Sequence, residues 1–177
     1  MGISNKITKY VENSKVNGKF IYWNKSVINV YIAEIVSNIT SKEYYYSEVK
    51  RAVNSWNKYL KDLSINRQFL MTIAPSNADI IINWTKVGRK TEGMCKYLSV
   101  INSEIRKVSI DVGLYNEYSG KNTSDESIYF VMMHELGHSL GLGHGVEVDD
   151  VMFVPHQKNV SIPSENDLYV LKQIYYS

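Results

Sequence analysis

His134-Glu135-Leu136-Gly137-His138-Ser139-Leu140-Gly141-Leu142-Gly143-His144 reads H-E-x-x-H-x-x-G-x-x-H. On a helix, residues four apart lie one above the other, so the imidazoles of His134 and His138 project from a single face. One turn rises about 5.4 Å, and two rings at that spacing can share one ion with Zn–N bonds of about 2.0–2.1 Å. A continuing helix would carry His144 away from them. Gly141 can adopt positive φ and end the helix, which lets the chain turn back and present His144 as a third ligand. Three histidines leave a fourth position open, the arrangement of a catalytic zinc and not of a closed structural one. Glu135 sits beside the metal without being needed as a ligand, where it can take a proton from a water. Two histidines at helical spacing arise often by chance. The full run fixes five positions and holds three of the chain's four histidines, which argues against a non-metal reading.

Outward from this run, the sequence resembles the metzincin zinc-peptidases, in which a methionine turn follows the histidines. Asp149-Asp150-Val151-Met152-Phe153 supplies that methionine eight residues after His144, the short spacing of matrixins, the matrix metalloproteinase family. Ile162-Pro163-Ser164-Glu165-Asn166-Asp167-Leu168 through Ile174-Tyr175 is similar to the matrixin closing helix. Ala78-Asp79-Ile80-Ile81-Ile82 and Val108-Ser109-Ile110-Asp111 look like matrixin strands. The resemblance covers about residues 26–176 and is most specific over 130–175.

The resemblance implies an α/β (α+β) metzincin fold: a twisted five-stranded mixed sheet with three helices, a small C-terminal lobe, and zinc between them. It implies a zinc-dependent endopeptidase with one zinc on His134, His138 and His144, and Glu135 as general base. Met152 would support the site by packing beneath the histidines, and Gly141 by turning the chain. Asp167 would be either a plain helix cap or a bond to the methionine turn. Residues 94–101 would form the antiparallel edge strand of the cleft, where a peptide adds as a further strand, with Cys95 and Tyr97 as substrate-binding candidates. The plain alternative is a sheet edge blunted by Lys96. Phe130 lies one turn before His134, where matrixins set the depth of the pocket for the side chain after the scissile bond. The plain alternative is core packing.

Some positions depart from the family. Gly145 stands where matrixins usually carry Ser. Phe153 follows the methionine where Tyr is common, which excludes a tyrosine ligand there. Pro155 comes one residue later than in the family pattern. The cysteine-switch motif is absent, and so is the histidine-rich loop of a second zinc, since only His156 lies outside the main run. These features suggest a smaller, bacterial-type relative with one zinc.

A length of 177 residues and 44% hydrophobic content predict one catalytic domain, 1–177, with a real core and residues 1–25 as an arm or short helix. A net charge of +2 is too weak to argue for nucleic acid or membrane, so the expected partner is a protein or peptide substrate and the expected state a monomer. No apolar run is long enough for a transmembrane helix. No signal peptide opens the chain; a secreted, extracellular protein whose signal or pro-segment lies outside this sequence is expected. Cys95 is the single cysteine, so no intrachain disulfide forms. It reads as a small buried hydrophobe, with a ligand or redox role as the alternative. Asp111, Glu117, Asp125, Glu147, Asp149 and Asp150 could offer calcium ligands, although scattered acidic residues are more often solvated surface.

Elsewhere the pattern gives the frame. Val27–Ile32 suggests a first strand. A helix over about 43–62 carries Val49, Ala52, Val53, Trp56, Tyr59, Leu60 and Leu63 on one stripe, where Trp56 and Tyr59 read as core and not as a ligand platform. Residues 67–73 and 78–84 flank a Pro75-Ser76-Asn77 turn, and at least the second is a buried strand. Residues 94–101 and 105–113 form a hairpin around Asn102-Ser103-Glu104. The second helix begins near Thr123 or Ser124, with Thr123 and Glu126 fitting a capping box, and stops at Gly141. The third starts at Ser164 with Asp167 at N3 and turns Leu168, Leu171 and Ile174 inward. Two other functions compete with hydrolysis of peptides. One is an inactive zinc-stabilised binding module, against which intact Glu135 argues. The other is a metallohydrolase with a non-peptide substrate.

Overall fold

Alternation of Val and Ile in three strands builds the centre of the molecule. Ile28 and Val30, Ile80 and Ile82, and Val108, Ile110 and Val112 point to one face, and all are buried. Residues between them, such as Asn29, Ile81 and Ser109, turn to the other face and are half-buried. A sheet with one buried face needs helices on that side only. The computed structural model describes residues 5–36, 42–87, 92–116, 121–155 and 160–176. Glu117 and His156 fall outside these, as do the side chains of Asp125 and Glu126.

In chain order the elements are α1 (Asn5–Asn13), β1 (Lys15–Val16), β2 (Lys19–Phe20), β3 (Val27–Ile32), α2 (Lys42–Asp62), β4 (Gln68–Met71), β5 (Ile80–Val87), β6 (Gly93–Ile101), β7 (Glu104–Asn116), β8 (Lys121–Asn122), α3 (Asp125–Ser139) and α4 (Glu165–Tyr176). The main sheet runs β4-β3-β5-β7-β6, with the short β8 also on β7. β3 pairs in parallel with β4 and β5, and β5 with β7, whereas β6 is antiparallel to β7 and ends the order. The five-stranded mixed sheet is therefore present, with β6 as its antiparallel edge. Strand and helix bounds differ from the sequence reading by three residues or fewer. The β6–β7 turn is two residues, Asn102 and Ser103, both at positive φ (51° and 67°). That is the mirror-image turn whose twist suits a hairpin, and Glu104 already pairs with Ile101.

α2 buries Val49, Ala52, Val53, Trp56 and Leu60 against the sheet and α3. Trp56 donates its indole N–H to the carbonyl of Met133 in α3 at 2.9 Å, so the aromatic stripe is core. Two expectations change. Among the described residues four α-helices are present where three were expected, because of the two readings of the N-terminal stretch, arm or short helix, the helix α1 forms: Ile7, Tyr10 and Val11 share one face, and Tyr10 is fully buried. The N-cap of α3 is Ser124, not Thr123. Ser124 Oγ accepts from Ser127 N at 3.2 Å, while Thr123 N is committed to Leu114 O at 2.9 Å in the sheet.

α3 ends as the sequence predicts. Gly141 has φ of +100°, Gly141 N donates to His138 O at 2.8 Å, and Leu142 N to Gly137 O at 3.2 Å. This pair of bonds is the Schellman closure, with glycine in the left-handed position. A Cβ on Gly141 would also run into the carbonyl oxygen of Ile21. Gly141→Ala should therefore destabilise the protein by about 1–3 kcal/mol or more, from backbone strain and the clash, as read by urea unfolding. Unchanged stability would show that the turn does not depend on glycine.

Candidate metal centre

α3 delivers His134 and His138 one turn apart, and the closure at Gly141 returns His144 toward them. The ring centroids of His134 and His138 are 4.6 Å apart, those of His138 and His144 4.8 Å, and those of His134 and His144 5.6 Å. One ring nitrogen from each lies within 4.8 Å of the others, so the group can hold a metal ion. His134 is buried, His138 intermediate and His144 exposed, so the cluster opens to solvent on the His144 side.

Two rings are oriented by main-chain carbonyls. His134 Nδ1 lies 2.9 Å from Val151 O, and His138 Nδ1 lies 2.8 Å from Leu142 O. A carbonyl can only accept, so each of these Nδ1 atoms carries a proton, which leaves Nε2 of His134 and His138 as the nitrogen able to bind a metal. Three clustered imidazoles are a donor set that suits zinc and not a hard cation such as calcium.

Met152 is fully buried against α3 at Gly137. A Cβ on Gly137 would strike the Met152 sulfur and come within 3.2 Å of the Trp56 ring, so glycine there lets the methionine seat against the backbone. The methionine turn hangs on two buried carboxylates. Asp167 Oδ2 accepts from Val151 N at 2.7 Å and Ser164 N at 2.8 Å, and Ser164 Oγ accepts from Asp167 N at 3.1 Å. Asp167 thus closes a reciprocal cap on α4 and bonds the turn as well. The two alternatives drawn from the sequence are both realised. Its Oδ1 accepts from Tyr10 Oη at 2.5 Å. Burial holds the Asp167 carboxyl above its ordinary range, against the pull of those hydrogen bonds. Burial, with Asp167 beside it, keeps Tyr10 protonated, so Tyr10 is the donor. Asp150 Oδ2 accepts from Val146 N and Glu147 N, both at 2.9 Å, and Oδ1 from Ser164 Oγ at 2.6 Å. The departure at Gly145 follows, since a Cβ there would come within 2.6 Å of Asp150 Cβ.

Glu135 is buried and turned toward the edge strand. A Cβ on Gly93 in β6 would come within 2.7 Å of its Oε1 and 2.6 Å of Val131 Cγ1, so glycine lets the strand approach the carboxylate. Cys95 and Tyr97 alternate inward from β6, while Met94, Lys96 and Leu98 point out. Burial first, and Glu135 second, pushes the Cys95 thiol well up, so it stays protonated. Cys95 is not one of the three residues grouped for metal. Tyr97 donates its hydroxyl to His138 O.

Sequence reading missed the residues that finish the end of α3. Besides Tyr97, Trp23 Nε1 donates to Ser139 O at 2.7 Å and Tyr175 Oη to Leu140 O at 3.2 Å. These partners are remote in sequence and carry no local signal.

Asp167→Ala would orphan the donors at Val151, Ser164 and Tyr10. An orphaned buried donor costs about 1–3 kcal/mol, so the loss should be about 3 kcal/mol or more in chemical denaturation. A loss under about 1 kcal/mol would mean that the turn is held by packing alone.

The family model described as Matrixin matches residues 22–176. Among curated proteins the sequence has no match.

Proposed function

The chain belongs to the matrixin family, a family of zinc metallopeptidases, and from that premise we propose that it is a zinc-dependent endopeptidase acting on extended proteins or peptides. The observation that supports this reading is a three-imidazole cluster whose first histidine is followed in α3 by a buried carboxylate, Glu135, lying against the edge strand of the sheet. His134, His138 and His144 would hold one zinc, which would supply Lewis acidity to the reaction. Glu135 accepts the proton of the attacking water and hands it to the leaving amine nitrogen. Its surroundings, Val131 and the backbone at Gly93, exclude bulk solvent from one side of the carboxylate. Main-chain groups of β6 align the substrate as an added strand. Cys95 and Tyr97 shape the floor beneath that strand. Met152, Gly141 and Asp167 support the ligands. The whole chain, 1–177, acts as one catalytic domain and works as a monomer outside the cell. No helix among the described residues is long and apolar enough to cross a membrane.

Metal analysis should find one zinc per chain, lost on replacing any of the three histidines with Ala. Glu135→Ala should keep that zinc and the melting temperature while quenched-peptide hydrolysis falls about 10²–10⁴-fold or further. Turnover near wild type in that variant would remove Glu135 from the chemistry. Two tight zinc ions, or an active sample with none, would remove the ligand assignment.

Phe130 bears on specificity. It lies one turn before His134 and is half-buried, whereas its neighbours Ile128 and Val131 are fully buried. This favours a pocket wall over a core residue. A shallow pocket then accepts Leu, Met or Ile after the scissile bond and rejects long aromatic groups. Phe130→Leu should shift the preference toward bulkier residues, by about 1–3 kcal/mol in relative kcat/KM. Identical peptide-library profiles for the two proteins would reject the pocket assignment.

A further inference from the structure

His144 is the exposed member of the histidine cluster, and residues 142–145 around it belong to no helix or strand. Something other than regular secondary structure must fix its main chain. The N-terminal segment does so on both sides of the residue. Gly143 N donates to Ser14 Oγ at 2.8 Å, and Asn13 Nδ2 donates to His144 O at 2.9 Å. Ser14 is only 3% exposed, and its hydroxyl donates back to Tyr10 O at 3.1 Å. The two backbones touch, since a Cβ on Gly143 would run into the Asn13 carbonyl. One helical turn earlier, Tyr10 bonds Asp167, the other oxygen of that carboxylate holds Val151 N, and Val151 O faces the His134 ring. α1 therefore reaches two of the three imidazoles by separate routes. All of these contacts come from residues 5–14, ahead of the family match that begins at residue 22.

We infer that α1 and the turn after it form a clasp on the third-histidine loop, and that Asn13, Ser14 and Tyr10 are positioning residues for His144 and His134. The inference rests on the three histidines being the zinc ligands. A loop ligand free to swing pays an ordering cost at each binding event, and a clasp removes most of it.

The test uses the full chain carrying Asn13→Ala with Ser14→Ala, and separately Tyr10→Phe. Lys15→Ala controls for the same segment, since Lys15 pairs with Glu12 and faces the Phe20 ring, away from the third-histidine loop. Phe69→Leu, buried on β4 at the opposite end of the sheet order from β6, controls for general loss of stability. Zinc release into a chromogenic chelator should be about 10–100-fold faster in the double variant, and the visible band of the cobalt-substituted protein should change. Both controls should match wild type in release rate and spectrum. A folded double variant with the wild-type release rate and spectrum would overturn the clasp. Should the double variant not fold, Tyr10→Phe removes one hydroxyl only: release several-fold faster supports the clasp, and release at the wild-type rate overturns it. The two readings fail separately. Peptide hydrolysis judges the proposed function, whereas zinc release judges the clasp whether or not the wild-type protein cuts peptides.

Discussion

The end of α3 is the constraint on which the molecule turns. A helix that places two ligands must stop directly after the second, or the third cannot come back. Stopping a helix leaves its last carbonyls without helical partners, and here that end is buried. Tyr97 from the sheet edge, Trp23 from the N-terminal segment and Tyr175 from α4 donate to the carbonyls of His138, Ser139 and Leu140. Three elements from distant parts of the chain converge because one helix terminus needs three donors. Each donor is aromatic, so each also brings apolar area to the same place.

Below the helix, the C-terminal part solves a different problem. Its described residues between Gly145 and Ser164 form no helix or strand, and the segment is held largely by Asp150 and Asp167, whose oxygens collect backbone and hydroxyl donors. Buried carboxylates are stable only when fully bonded, and this pair is served by the loops it organises. Glycine at 137, 141 and 145 is the geometric counterpart. At each, an added carbon would meet Met152, Ile21 or Asp150. The departure from the family at Gly145 is thus not neutral; it makes room for Asp150.

Much of this was legible in the sequence because the informative features are local. Helical spacing of His134 and His138, the glycine stop, the α2 stripe and the strand alternation of Ile80 and Val108 need only neighbours a few residues apart. The cap between Ser164 and Asp167 was legible for the same reason. What escaped depends on distance. Thr123 and Ser124 are equally good caps by chemistry, and only the bond from Thr123 N to Leu114 O chose between them. α1 has few apolar residues, so its stretch read equally as an arm or a short helix, and the bond that ties it down, Tyr10 to Asp167, is made far along the chain. Trp23 and Tyr175 have no sequence mark that distinguishes a donor from core packing.

The bond between Tyr10 and Asp167 joins residues 157 positions apart, and Tyr175 reaches back to Leu140. Chain ends are ordinarily where a protein frays first, and such fraying is normally silent. Here α1 and α4 are both tied to the elements that carry the histidines, α1 through Asp167 toward His134 and through Ser14 and Asn13 toward His144, α4 through Tyr175 to the end of α3. Closing so large a loop carries an entropic cost that grows only slowly with length, which makes the arrangement tolerable. The histidines are contiguous in sequence and can come together early. Their final alignment depends on α1 and α4 as well, which lie far from them along the chain.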